Sequence, residues 1–138
     1  MRKLIISAMA IFSLTYFFCA PAFADSIKAG EQRHVYEKAG YKKLTASEVR
    51  ELHNNKILTF KWKGKNIRQR FNSDGVRTVM VGGGIKTKWA LRGDQVCYDS
   101  ARGSGVLCYE ILHNGSANYI YCDVDEAPIC GSAVIKVE

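Results

Sequence analysis

From Ile57 onward, apolar and polar residues alternate in runs of five to seven, and the runs are separated by clusters of Gly, Asn, Asp and Ser. A period of two puts successive side chains on opposite faces of a strand, so the pattern predicts half-buried antiparallel strands. These are expected at residues 57–62, 66–71, 76–81, 85–91, 95–99, 106–112, 118–123 and 133–137. No connection is long enough for a crossover helix. The expected fold is therefore mainly β, an antiparallel meander of about eight short strands that forms a small barrel or sandwich.

One segment departs from this period. Thr45-Ala46-Ser47-Glu48 matches the T-x-x-E capping box, and Leu44 and Val49 are spaced to staple the helix start. A single short N-terminal α-helix is expected over 46–53, with Val49 and Leu52 buried, covering one open end of the sheet. Residues 25–43, polar and weakly patterned, read as a loose leader. Residues 44–138 then form a single β-domain.

At the chain start, Arg2 and Lys3 precede an uncharged apolar run, residues 4–18, and Ala22 and Ala24 supply the small side chains of a signal-peptidase site. Residues 1–24 are read as a signal peptide cut before Asp25. The rival is an uncleaved anchor, which Pro21 and the A-x-A site disfavour. A lipid on Cys19 would need a small residue before it, and Phe18 is bulky. No later stretch is apolar enough to span a bilayer, so the expected product is exported, periplasmic or secreted, and soluble.

Removing Cys19 leaves Cys97, Cys108, Cys122 and Cys130, an even number in an exported chain, which points to disulfides. Cys97 and Cys108 flank the Arg102–Gly105 turn, and Cys122 and Cys130 flank DVDEAP, which favours those two pairs. Cys108 with Cys122 across the Asn114-Gly115 turn is the alternative. Zinc needs closer spacings such as C-x-x-C, so no metal is expected.

Charge changes the picture further. Twenty Lys and Arg face thirteen Asp and Glu, a formal +7, or +5 without Arg2 and Lys3. Residues 56–92 hold ten of the cations against Asp74 alone, whereas residues 93–138 carry a net −5. Alternation sets Lys61 and Lys63 against Phe60 and Trp62, and Arg68 and Arg70 against Ile67, Gln69 and Phe71. By the same rule Arg77 opposes Val76, Thr78 and Met80, while Lys86 and Lys88 oppose Ile85, Thr87, Trp89 and Leu91. These seven cations are expected on one outer face. A solvated sheet face is the plain explanation, yet like charges opposite one another repel by several tenths of a kcal/mol, and an anionic partner would offset that.

In an envelope, such partners are lipid or lipopolysaccharide headgroups, polymer carboxylates and acidic proteins. Nucleic acid is not expected, because no aromatic residues interleave with the cations for base stacking. Asp94, Asp99, Glu110, Asp123, Asp125 and Glu126 offer an opposite patch for head-to-tail self-association.

Catalytic signals are weak. His34, His53 and His113 show neither metal-ligand spacing nor a nucleophile motif, and they read as surface or capping residues; no cofactor or enzymatic activity is expected. Gly82-Gly83-Gly84 reads as a strand connection and Arg92-Gly93-Asp94 as a tight turn. Asp123, Asp125 and Glu126 lack the full calcium-loop spacing. Phe60, Trp62, Phe71 and Trp89 read as β-core or, if the barrel is open, as the lining of an apolar pocket.

Two segments, LTASEVRELHNNK and KWALRGDQVCYDSARGSGVLCYEI, together resemble the uncharacterised small exported β-domain proteins of proteobacteria over residues 44 to about 123. The resemblance implies a periplasmic or secreted domain in which Cys97 and Cys108 match a recurring pair, with Cys122 and Cys130 as departures. It assigns no functional residues. The expected function is a non-catalytic binding module that docks through its basic face on an anionic envelope component or protein. The alternative is a disulfide-stabilised inhibitor or assembly factor acting through loop 100–105 or 123–128.

Overall fold

The computed structural model describes residues 30–103, 105–115, 118–124 and 129–138. The signal segment 1–24 and its cut, leader residues 25–29, Ser104, Ser116, and Asp125 and Glu126 of the acidic loop lie outside the described residues.

The chain runs through α1 (Arg33–Lys38), β1 (Lys42–Lys43) and α2 (Ala46–His53), then β2 (Lys56–Trp62), β3 (Lys65–Phe71), β4 (Val76–Val79) and β5 (Ile85–Arg92). It continues with β6 (Gln95–Asp99), β7 (Val106–His113), β8 (Tyr119–Asp123) and β9 (Cys130–Val137). From β2 each strand pairs antiparallel with the next, and β9 returns to β2, so the meander is a closed eight-stranded barrel. Register shifts at Thr59/Phe60 and Tyr121/Cys122 lie on the two sides of β9. Such irregularities bend a strand and increase its twist, which helps the last strand reach the first.

An eight-stranded barrel has an interior just wide enough for side chains to fill. Here Leu58, Phe60, Phe71, Trp89, Val96, Ile111, Tyr121 and Val134 fill it. One end is closed by α2. Its capping box is formed, with Thr45 N–H donating to Glu48 Oε2 at 2.7 Å, and Leu44 and Val49 are buried as a staple requires. Val49, Leu52 and His53, at i, i+3 and i+4, make the buried side of the helix.

The loose leader is corrected over residues 30–43. Gly30 N–H donates to Cys130 O at 2.7 Å, and Cys130 N–H to Glu31 O at 3.0 Å, which ties the segment to β9. Helix α1 then places Tyr36 in a second cluster with Leu112, Ile120, Cys122 and Cys130. Arg33 pairs with Glu37 and Glu110, and Lys43 with Asp94 at 2.7 Å. A six-residue helix without a side-chain cap leaves almost no periodic signal, so composition alone made the segment look unstructured.

Both favoured disulfides are present, Cys97–Cys108 between β6 and β7 and Cys122–Cys130 between β8 and β9, each joining directly opposed residues. No helix among the described residues is long and apolar enough to cross a membrane.

Candidate functional site

Five of the seven expected cations lie exposed on the outer surface: Lys61 on β2, Arg68 and Arg70 on β3, and Lys86 and Lys88 on β5. Their register removes the anticipated repulsion. Arg70 stands opposite Ile57 and Thr78, Lys86 opposite Thr78, and Lys88 opposite Val76, so none of these cations faces another. Thr78 and Val76 of β4 separate the β3 and β5 charges by two strand spacings, about 10 Å. Arg68 meets Glu138 at 2.9 Å, and Glu138 is held below the usual carboxylate range by Lys136 and Arg68. Among the described residues, Lys61, Arg70, Lys86 and Lys88 have no carboxylate within ion-pair distance.

Lys63 and Arg77 are corrections to the expected face. Lys63 sits in the β2–β3 turn, where its φ of 46° and the 75° of Gly64 match the two positive φ angles of a type I′ turn, and its Nζ lies 4.6 Å from the Trp62 ring centroid. Arg77 points into the barrel and is 3% exposed. Its register explains the reversal, because it pairs with inward-facing Phe71 and Thr87. The guanidinium donates to Gln69 Oε1 (2.8 Å), Thr87 Oγ1 (2.9 Å) and Asp99 O (3.0 Å), and covers the Tyr98 ring at 3.8 Å. Arg77 thus links its own strand to β3, β5 and β6. All three acceptors belong to neutral groups, and burial pushes the Arg77 pKa down.

His53 is a second correction, being wholly buried instead of a surface cap. Its Nδ1–H donates to Val49 O at 2.6 Å, which leaves Nε2 to accept from the Tyr121 hydroxyl. Phe71 meets the imidazole edge-on at 4.8 Å. Burial lowers the His53 pKa from 6.5 to about 4, and raises that of Tyr121, so both are neutral near pH 7. From Tyr121 a row of ring contacts runs to Tyr109 (5.6 Å between centroids) and Tyr98 (5.4 Å), and the Arg77 guanidinium covers the last ring.

No family model, curated protein or solved structure matches this chain.

The three histidines are separated by their surroundings: His34 is exposed on α1, His53 lies inside the barrel, and His113 stacks on Tyr119 at 4.4 Å. Among the described residues no three His, Cys, Asp or Glu side chains gather as a metal site. Phe60, Phe71 and Trp89 are core, but Trp62 is 39% exposed at the rim. A hollow of about 340 Å³ beside α2, lined by Leu44, Glu48, Glu51, Lys56 and His113, mixes charges of both signs. Another, of about 580 Å³, is lined by Ile85, Lys86, Lys88, Asp99 and the start of loop 100–105. Two members of the acidic patch expected to support self-association, Asp94 and Glu110, are already engaged by Lys43 and Arg33. Sequence reasoning missed that engagement along with α1.

Proposed function

We propose that the protein is an exported, non-catalytic binding module that docks on an anionic component of the cell envelope through Lys61, Arg70, Lys86 and Lys88, with Arg68 at the edge of the face. The carrying observation is that these four exposed cations lack a carboxylate partner among the described residues, while Asp94 and Glu110 of the acidic part of the chain are engaged by Lys43 and Arg33. A positive surface of this kind speeds encounter with anions and weakens as salt rises. Two disulfides suit an oxidising compartment.

The test is retention of the folded protein on a polyanionic matrix. Reversing Arg70, Lys86 and Lys88 to Glu together should abolish retention, and added salt should elute the unaltered chain. Retention that ignores both changes refutes the proposal.

A further inference from the structure

We infer that the docking partner is the surface of an anionic phospholipid bilayer, entered by an apolar lip at the barrel end opposite α2. The inference rests on the docking role proposed above and names its partner.

Seven large hydrophobic side chains are exposed among the described residues, and five of them, Trp62, Val81, Ile85, Val106 and Ile129, lie at or beside the hairpin connections of that end. Trp62 closes β2, Val81 follows β4, and Ile85 opens β5, with exposures of 39%, 53% and 44%. Three inter-strand steps separate the first from the last, about 14 Å along the rim. A concentration of large apolar groups at one pole marks a contact surface, whereas scattered ones need no explanation.

The charge around this lip selects the occupant. Lys63 and Lys65 follow Trp62 in sequence, and Lys86 follows Ile85; none has a carboxylate within ion-pair distance among the described residues. Among the described residues the acids of this end include Asp99, which shares a hollow with Lys86, and Asp123, which closes β8, whereas Trp62, Val81 and Ile85 stand on the β2–β5 side of the rim with Lys63, Lys65 and Lys86. Trp is favoured at the headgroup level of a bilayer, and Lys reaches outward to phosphates while its methylenes stay among apolar groups. With the Lys63 ammonium 4.6 Å from the Trp62 ring, cation and indole occupy one depth. An acidic protein would match the charges but leave the apolar tips without a purpose. Anionic lipid uses both, since apolar burial and attraction to charged headgroups add.

The experiment uses oxidised protein recovered from the envelope fraction, its N-terminus established by mass spectrometry so that any retained 4–18 segment is known. It is mixed with phosphatidylglycerol-containing vesicles, with neutral phosphatidylcholine vesicles, and with an immobilised polyanion. Trp89 is buried, with its indole N–H donating to Asn72 O at 2.8 Å, so a change in tryptophan emission on binding reports Trp62. The inference expects binding to anionic vesicles, a blue shift, and quenching by brominated lipid. Trp62→Ala should weaken binding about tenfold, in line with the loss of one large buried apolar group, and each cation removed by Lys63→Gln or Lys65→Gln about fivefold. A Val81→Ser/Ile85→Ser double variant with an unchanged melting temperature should also lose quenching.

Anionic-vesicle binding that is salt-sensitive but unaffected by Trp62→Ala or brominated lipid overturns the lip and leaves the docking face standing. Binding to the polyanion but not to vesicles overturns the lipid partner alone. Equal binding to neutral vesicles also overturns the inference, and binding to none of the three removes the docking face as well.

Discussion

At the helix end of the barrel, α2 brings Val49, Leu52 and His53 against Phe71, Trp89 and Tyr121, and all six side chains are at most 9% exposed. At the hairpin end, five large apolar side chains are at least 39% exposed, and the interior below them holds the guanidinium of Arg77. The two ends divide the labour. Close packing and satisfied buried polar groups make the first a source of stability, because removing buried atoms leaves a cavity or an unpaired donor. The second keeps unpaired cations and apolar tips in solvent, where they add little to folding and remain available for contact. Substitutions of the buried side chains at the helix end should therefore move stability alone, and substitutions of the exposed cations and apolar tips should move docking alone.

The largest expected effect tests the first half of that division. Phe71 is fully buried and touches His53 and Trp89 edge-on. Phe71→Ala should cost about 3–5 kcal/mol in a urea titration, the range for emptying an aromatic core site. The folded fraction should still bind the polyanion.

Next comes pH. The folded His53 pKa is lowered to about 4 by burial, against 6.5 ordinarily, so the unfolded chain takes up the proton first. The contribution of the neutral ring to stability is complete above pH 6.5 and is lost as pH falls towards 4, by about 3 kcal/mol. Glu48 and Asp94, lowered by the Thr45 N–H and by Lys43, add acid sensitivity with the same sign only when carboxylates begin to protonate. Denaturant midpoints at pH 7 and pH 5 isolate the histidine. His53→Gln should be less stable at pH 7 yet show a flatter profile, and an equally steep profile would contradict a buried neutral ring.

Arg77 is the sharper probe, because it carries the same charge as Arg70 on the opposite side of the wall. Arg77→Ala strands three acceptors and a tyrosine face, and should cost about 2–3 kcal/mol, with Arg77→Lys recovering only part because one ammonium cannot span three strands. Polyanion retention should be unchanged by either. Thr45→Ala comes lower on the scale, about 1 kcal/mol for the loss of the cap on α2, measured as a shift in melting temperature.

Residues 76–81 show where the sequence was legible and where it was not. Strong alternation in β3 and β5 put Arg68, Arg70, Lys86 and Lys88 outside. In Val76-Arg77-Thr78-Val79-Met80-Val81 both phases contain apolar side chains, and polarity then sends Arg77 outward. Only pairing decides: Phe71 is inward, the turn aligns it with Arg77, and Val79 meets Ile85. Counting register from Phe71 would have found the reversal. His53 had a readable signal, its i+4 spacing from Val49, but a helix-end histidine is assigned by default to solvent. The cysteine pairs were legible because each pair brackets one hairpin. Tyr36 was not, since its burial depends on the outer wall of β7 to β9, far away in sequence.

The smallest expected change in stability is the most decisive for the contrast. Lys86 and Lys88 are exposed, face Thr78 and Val76 across the ladder, and hold no ion pair among the described residues. Lys86→Glu/Lys88→Glu should therefore alter stability by no more than about 0.5 kcal/mol, as expected for surface positions free of structural duties. Retention on the polyanion should nevertheless fall more than tenfold and lose most of its salt dependence, because the reversed charges repel the ligand they had attracted. A substantial loss of stability would instead mean that these lysines serve the fold as Arg77 does. The two ends would then differ in packing but not in purpose.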